Sequence, residues 1–132
     1  METNGIHWVI VADNAGIASV FPNLKDMFHE EAISFITLVY YSWNNEFSFS
    51  KEIEILKYHY PGKFIAFYEV GLAASDFELD TTIIENVINA NTSREIRFLV
   101  SGCEEFNLVI EETLQFLDIK EIVFQEQFFK NN

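Results

Sequence analysis

The chain is poor in cysteine, in positive charge and in long apolar runs, and each shortage removes a class of protein. One cysteine in 132 residues excludes a disulfide framework and any cysteine-rich metal site. Lys and Arg total 8 against 21 Asp and Glu, a net charge of -13. A surface this acidic repels phosphate backbones, so no nucleic acid is expected as a partner. No apolar run approaches about 20 residues, so no membrane span is expected. Met1-Glu2-Thr3-Asn4-Gly5 has no basic region followed by an apolar core. No signal peptide is therefore expected, and a cytoplasmic setting is the default reading. His7, His29 and His59 fall on different elements without metal-ligand spacing, so no metal site is expected. A P-loop and a Cys-x-x-Cys redox pair are missing too.

What remains is a globular composition, 49% hydrophobic and 22% charged, long enough for one core and too short for two. A single domain over residues 1–132 follows. Two periodicities alternate along it. His7 to Ala12 is a short apolar run ended by Asp13-Asn14, which reads as a strand buried on both faces. Ile17, Val20, Phe21, Leu24, Met27 and Phe28 then recur at helical spacing, with Pro22 tolerable only in or near the first turn. Ile33 to Tyr41 is a second strand. Ser50 is expected to cap a helix around Ile53 and Leu56 that stops before Pro61-Gly62. Phe64 to Val70 is a third strand, and the loop from Gly71 to Glu78, rich in small residues, is the expected mobile segment. Asp80 should cap a helix carrying Ile83, Ile84, Val87 and Ile88, broken by Asn91-Thr92-Ser93. Ile96 to Val100 is a fourth strand. Phe106, Val109, Ile110, Leu114 and Leu117 line a fourth helix, and Ile122 to Phe124 is a fifth strand. Strands alternating with helices predict a three-layer α/β sandwich, a five-stranded parallel sheet with helices on both faces.

Ligands in such sheets sit beyond the C-terminal ends of the strands, where the strand order reverses. The loops after strands one and four read Asp13-Asn14-Ala15-Gly16 and Ser101-Gly102-Cys103-Glu104-Glu105. With Asn14-Ala15-Gly16-Ile17-Ala18-Ser19, Ser101-Gly102-Cys103-Glu104-Glu105-Phe106 and the closing Glu126-Gln127-Phe128, the chain resembles the nicotinamide-nucleotide-binding domain of the ferredoxin–NADP reductase superfamily. That family carries a G-x-G-I-A-P-like segment, a C-G-P-like segment and a terminal E-x-F at these places. The resemblance spans nearly the whole chain and implies the sheet order 3-2-1-4-5. It implies NAD or NADP as cofactor, with Asn14 and Ala15 in the binding loop and Gly16 and Ile17 starting the helix against the pyrophosphate. It places Ser101 and Gly102 beside the nicotinamide, with Cys103 next to them as a further cofactor-binding candidate, and Glu126 near the reacting centre. The family's flavin-binding barrel is missing, so no flavin is expected on this chain alone, and a separate flavoprotein or electron-transfer partner is implied.

The departures from the pattern are specific. Asn14 stands where the family has the glycine that admits a pyrophosphate, Ser19 and Cys103 replace its prolines, and Ser101 replaces its cysteine. The arginine often found after strand two aligns near Ser42-Trp43-Asn44. Asp13, Glu104 and Glu105 would all lie near the phosphates. One carboxylate at ~4 Å from a phosphate charge costs roughly 1 kcal/mol in water and about 4 kcal/mol in a partly buried site. Two would cancel a helix-dipole gain of ~0.3–2 kcal/mol, unless they turn away. Glu104 and Glu105 also have a structural reading, as carboxylates opening a helix, and Gly16 and Gly102 one as tight-turn residues. Cys103 has no adjacent histidine and acidic neighbours, against a catalytic thiol; no catalytic residue is assigned.

Two functions therefore stand side by side. One is a stand-alone oxidoreductase module needing a flavin partner. The other is a non-catalytic acidic interaction domain that keeps the fold and has lost nucleotide binding. Aromatic residues at 16% are mostly core, but leave a homodimer interface open, with Trp43 and Phe128-Phe129 the residues to inspect for exposure.

Overall fold

The computed structural model describes residues 3–70, 81–120 and 122–124. The strands are β1 (Thr3–Asp13), β2 (Ile33–Ser42), β3 (Phe64–Val70), β4 (Ser93–Ser101) and β5 (Ile122–Phe124). Between them run α1 (Ile17–Met27), α2 (Ser50–His59), α3 (Thr82–Ala90) and α4 (Glu104–Phe116). All four strand pairs are parallel, in the order β3-β2-β1-β4-β5. The periodicities thus produce the expected architecture.

The central strand explains why the sheet is covered on both faces. In β1, Val9, Ile10, Val11 and Ala12 are all fully buried, and side chains alternate across the sheet. Ile10 and Ala12 join α1 and α2, through Ile17, Val20, Leu24 and Ile53, in one core layer. Val9 and Val11 join α3 and α4, through Ile84, Val87, Phe106, Ile110 and Leu114, in the other. Removing one large side chain from such a layer, as in Phe106→Ala, costs about 3–5 kcal/mol.

Several local expectations need correction. Pro22 sits in the second turn of α1, not the first. It has no N–H for the Ala18 carbonyl, and the helix survives on its buried face. Ser50 is the first helical residue of α2, not its cap; the cap position belongs to Phe49, in the left-handed region at φ 67. A non-glycine residue there costs about 1–2 kcal/mol. The Phe49 ring stacks on Phe21 at 5.0 Å, which offsets part of that. β1 and β4 begin earlier than their apolar runs, at Thr3 and Ser93, because backbone pairing extends into polar residues: Thr3 pairs with Ser93 and Ile6 with Glu95. Asp80, Gly71 to Glu78, and the tail with Glu126, Phe128 and Phe129 lie outside the described residues. The cap position of α3 falls on Thr81.

Candidate functional site

The sheet order sets the loops after β1 and β4 side by side, with the loop after β2 flanking them. What joins the three is Asp13, the last residue of β1, whose side chain is fully buried. Its Oδ1 accepts the backbone N–H groups of Ala15 and Gly16, each at 2.9 Å. Its Oδ2 accepts the Trp43 indole N–H and the Cys103 backbone N–H, each at 3.1 Å. Two of these donors belong to the turn that opens α1, and a third is the amide at the N-cap of α4. A bound anion would use such amides. Here the chain's own carboxylate has them.

Asn14 closes the same place from the other side. Its Oδ1 accepts the Trp43 backbone N–H at 2.7 Å. Its Nδ2 donates to the Glu46 carbonyl at 2.9 Å and to Ser42 Oγ at 3.3 Å. Ser42 in turn donates to the Glu46 carbonyl at 2.7 Å. The Ser42-Trp43-Asn44 segment is therefore engaged in holding the β2–α2 loop against β1. Trp43, half-buried, has its ring edge-on to Phe106 at 6.1 Å.

The two loop glycines have a packing reason and not a turn reason: neither has a positive φ. A Cβ on Gly16 would overlap the backbone carbonyl of Ser101, and one on Gly102 would overlap the Phe106 ring and lie 2.8 Å from the Asp13 carboxyl carbon. The loops thus touch backbone to backbone, with Ser101 Oγ donating to the Gly16 carbonyl at 3.1 Å. Asn107 Nδ2 secures the second loop by donating to the Gly102 carbonyl, also at 3.1 Å.

Of the residues singled out from sequence, Asn14, Ala15, Gly16, Ser101, Gly102 and Cys103 come together here. Ile17 opens α1, with its side chain in the core at 1% exposure. Glu126 lies outside the described residues. Of the three carboxylates expected near the phosphates, Asp13 is the one that turns away, inward onto four donors. Glu104 and Glu105 are exposed in the first turn of α4, where the helix dipole favours them. Burial pushes the Cys103 thiol above its ordinary range, with the Asp13 and Glu105 carboxylates adding to the effect and the Phe106 amide opposing it. That is the reverse of an activated nucleophile. Among the described residues no group of three or more metal-binding side chains converges, and no helix is long and apolar enough to cross a membrane.

Sequence reasoning missed the role of Asp13 and the parts played by Ser42, Trp43 and Glu46. A signal for the first was present: an Asp whose carboxylate can accept the N–H two residues ahead is the mark of an Asx turn, and Asp13-Asn14-Ala15-Gly16 fits it. No protein-family model, curated protein or solved structure matches this chain.

Proposed function

We propose that this chain is a non-catalytic acidic interaction module, built on a doubly wound α/β domain whose anion seat is filled by its own Asp13. The observation that carries this reading is the set of four N–H donors on a fully buried carboxylate. A dinucleotide pyrophosphate would have to displace that carboxylate from amides already held at hydrogen-bonding distance. It would also have to break the Asn14 bonds across the crevice. A charge of -13 steers basic partners through long-range attraction, with strong salt dependence. The test is calorimetric titration with NADPH and NADH to millimolar concentration. No heat of binding is expected, and saturable micromolar binding would overturn the reading.

A second reading keeps one observation of its own. The β1 and β4 loops are neighbours, with glycine at both points of closest approach, which is the layout the resemblance to ferredoxin–NADP reductases implies. Under it, the chain is a nicotinamide domain serving a separate flavoprotein, and the same titration with either nucleotide would show micromolar binding.

A further inference from the structure

The opposite end of the sheet is built differently. At the N-terminal ends of the strands, between α3 and the β2–β3 side of the sheet, lies a cavity of about 640 Å³. That is within the roughly 300–1,000 Å³ of small-molecule sites. We propose that this cavity binds a neutral, largely apolar small molecule.

Its shape follows from the way the sheet is covered. α3 packs through Ile84 and Val87 into the core beside β1, β2 and β4. The edge strand β3 is left half open beyond it: Ile65 is 37% exposed and Phe67 is only partly buried. Phe35, Ile65 and Phe67 from the sheet, with Ile83 and Val87 from α3, give the cavity its apolar lining. Large aromatic and aliphatic walls of this kind take up apolar surface at roughly 25 cal/mol per Å².

The polar part of the lining selects against charge. Among the described residues, no Asp, Glu, Lys or Arg lines the cavity, in a chain that carries 21 acidic residues. The polar floor is a closed network of neutral groups. His7 is buried, with Nδ1 2.9 Å from Asn91 Oδ1 and Nε2 2.8 Å from Thr37 Oγ1. Asn91 Oδ1 can only accept, so Nδ1 carries the proton and Nε2 accepts from the Thr37 hydroxyl. Ser34 and Ser93 bond each other at 2.8 Å. With these groups satisfied among themselves, the floor offers no counter-charge to an ion. The Asn86 carboxamide, on the exposed face of α3 at the rim, is the group placed to bond a ligand's polar atom.

The experiment uses a matched pair of dyes with one aromatic frame. N-phenyl-1-naphthylamine is neutral; 1-anilinonaphthalene-8-sulfonate adds a sulfonate. The neutral dye should bind the intact chain saturably, one per chain, at least about tenfold more tightly than the sulfonate. Asn86→Trp blocks the rim from an exposed position, and Ile65→Arg places a charge on the wall. Each should weaken the neutral dye about tenfold or more, with far-UV circular dichroism and the urea midpoint close to the parent's. Absence of saturable binding, equal affinity for the sulfonate, or indifference to both substitutions would overturn the proposal. So would a concentration-dependent dimer that excludes the dye and is lost in Asn86→Trp, since a second copy would then cover the cavity.

Discussion

Replacing Asp13 with alanine should destabilise the domain by about 3–5 kcal/mol, a large fraction of the stability of a chain this size. The magnitude follows from the structure. Hydrogen bonds to a charged group contribute about 1.5–3 kcal/mol each, and four N–H groups meet this carboxylate. Against that gain stands the cost of burying the carboxylate, several kcal/mol, which the alanine variant no longer bears. Ala15 is exposed, so water can reach part of the vacated seat and soften the loss. Asp13→Asn keeps the shape and one acceptor oxygen, but turns an NH2 group towards two N–H donors. It should lose roughly 2–4 kcal/mol. Urea unfolding read by tryptophan fluorescence gives both values.

The second arm distinguishes a filled anion seat from an ordinary buried polar residue. Phosphate or sulfate should stabilise Asp13→Ala beyond an ionic-strength-matched chloride control, by about 1.4 kcal/mol at ten times its dissociation constant. The parent should show no such gain, because its seat is taken. A loss under about 1 kcal/mol in the alanine variant, or equal anion stabilisation of parent and variant, would refute the reasoning.

Three more outcomes follow from other sites. Burial, partly opposed by the bond to Asn91, lowers the His7 pKa below 6.5. The unfolded chain therefore takes up a proton near pH ~6.5 that the folded chain refuses until lower pH. Stability should fall on acidification through that window and level off below the folded pKa. Urea midpoints across roughly pH 5 to 8 should show a flatter profile in His7→Gln, and identical slopes would contradict the assignment. Gly16→Ala and Gly102→Ala should each cost about 1–3 kcal/mol or more by overpacking, whereas Gly62→Ala, where nothing lies within 4 Å, should be near neutral by the same unfolding assay. Cys103, with its thiol pKa raised by burial and nearby carboxylates, should react with Ellman's reagent more slowly at neutral pH than a free thiol; reaction at or above the free-thiol rate would contradict this.

The sheet was legible because its signal is repeated. Apolar runs such as Val9 to Ala12 and helix stripes such as Phe106, Ile110 and Leu114 state the period several times over, so one irregular residue does not hide it. The starts of β2, β3 and β5 were legible at Ile33, Phe64 and Ile122, whereas the start of α2 was not, since it depends on a single residue. Phe49 takes a left-handed conformation that its type disfavours, held by ring packing on Phe21. Likewise Gly16 and Gly102 look like turn glycines in sequence, and only the approach of Ser101 and Phe106 shows that they are there to leave room. The site was half legible. The loops that meet were foreseen from topology, but the direction of the Asp13 side chain was not. A carboxylate beside a helix start either repels a ligand anion or replaces it. The choice is made by Trp43 and Cys103, 30 and 90 residues away along the chain.

That choice bears on how such a domain holds together without a ligand. An anion seat made of backbone amides is an unsatisfied set of donors whenever it is empty, and buried donors without partners cost about 1–3 kcal/mol each. A nucleotide-binding protein accepts that cost and recovers it when the ligand arrives. A chain that places its own carboxylate on the amides is stable without ligand, and an incoming anion must then compete with a group already present at the site. Substituting Asn14 and Asp13 by glycine together would empty the seat, but would also cut the bonds that hold the β2–α2 loop to β1. Gains in nucleotide affinity would come with a loosened loop. The two ends of the sheet thus divide the chemistry: the end with amides and the Asp13 carboxylate is closed by the chain itself, and the cavity at the other end, lined by Phe35, Phe67, Ile83 and Val87, is open and has no charged side chain among its described lining residues. A ligand for this fold, if it is to enter without breaking hydrogen bonds, enters at the second.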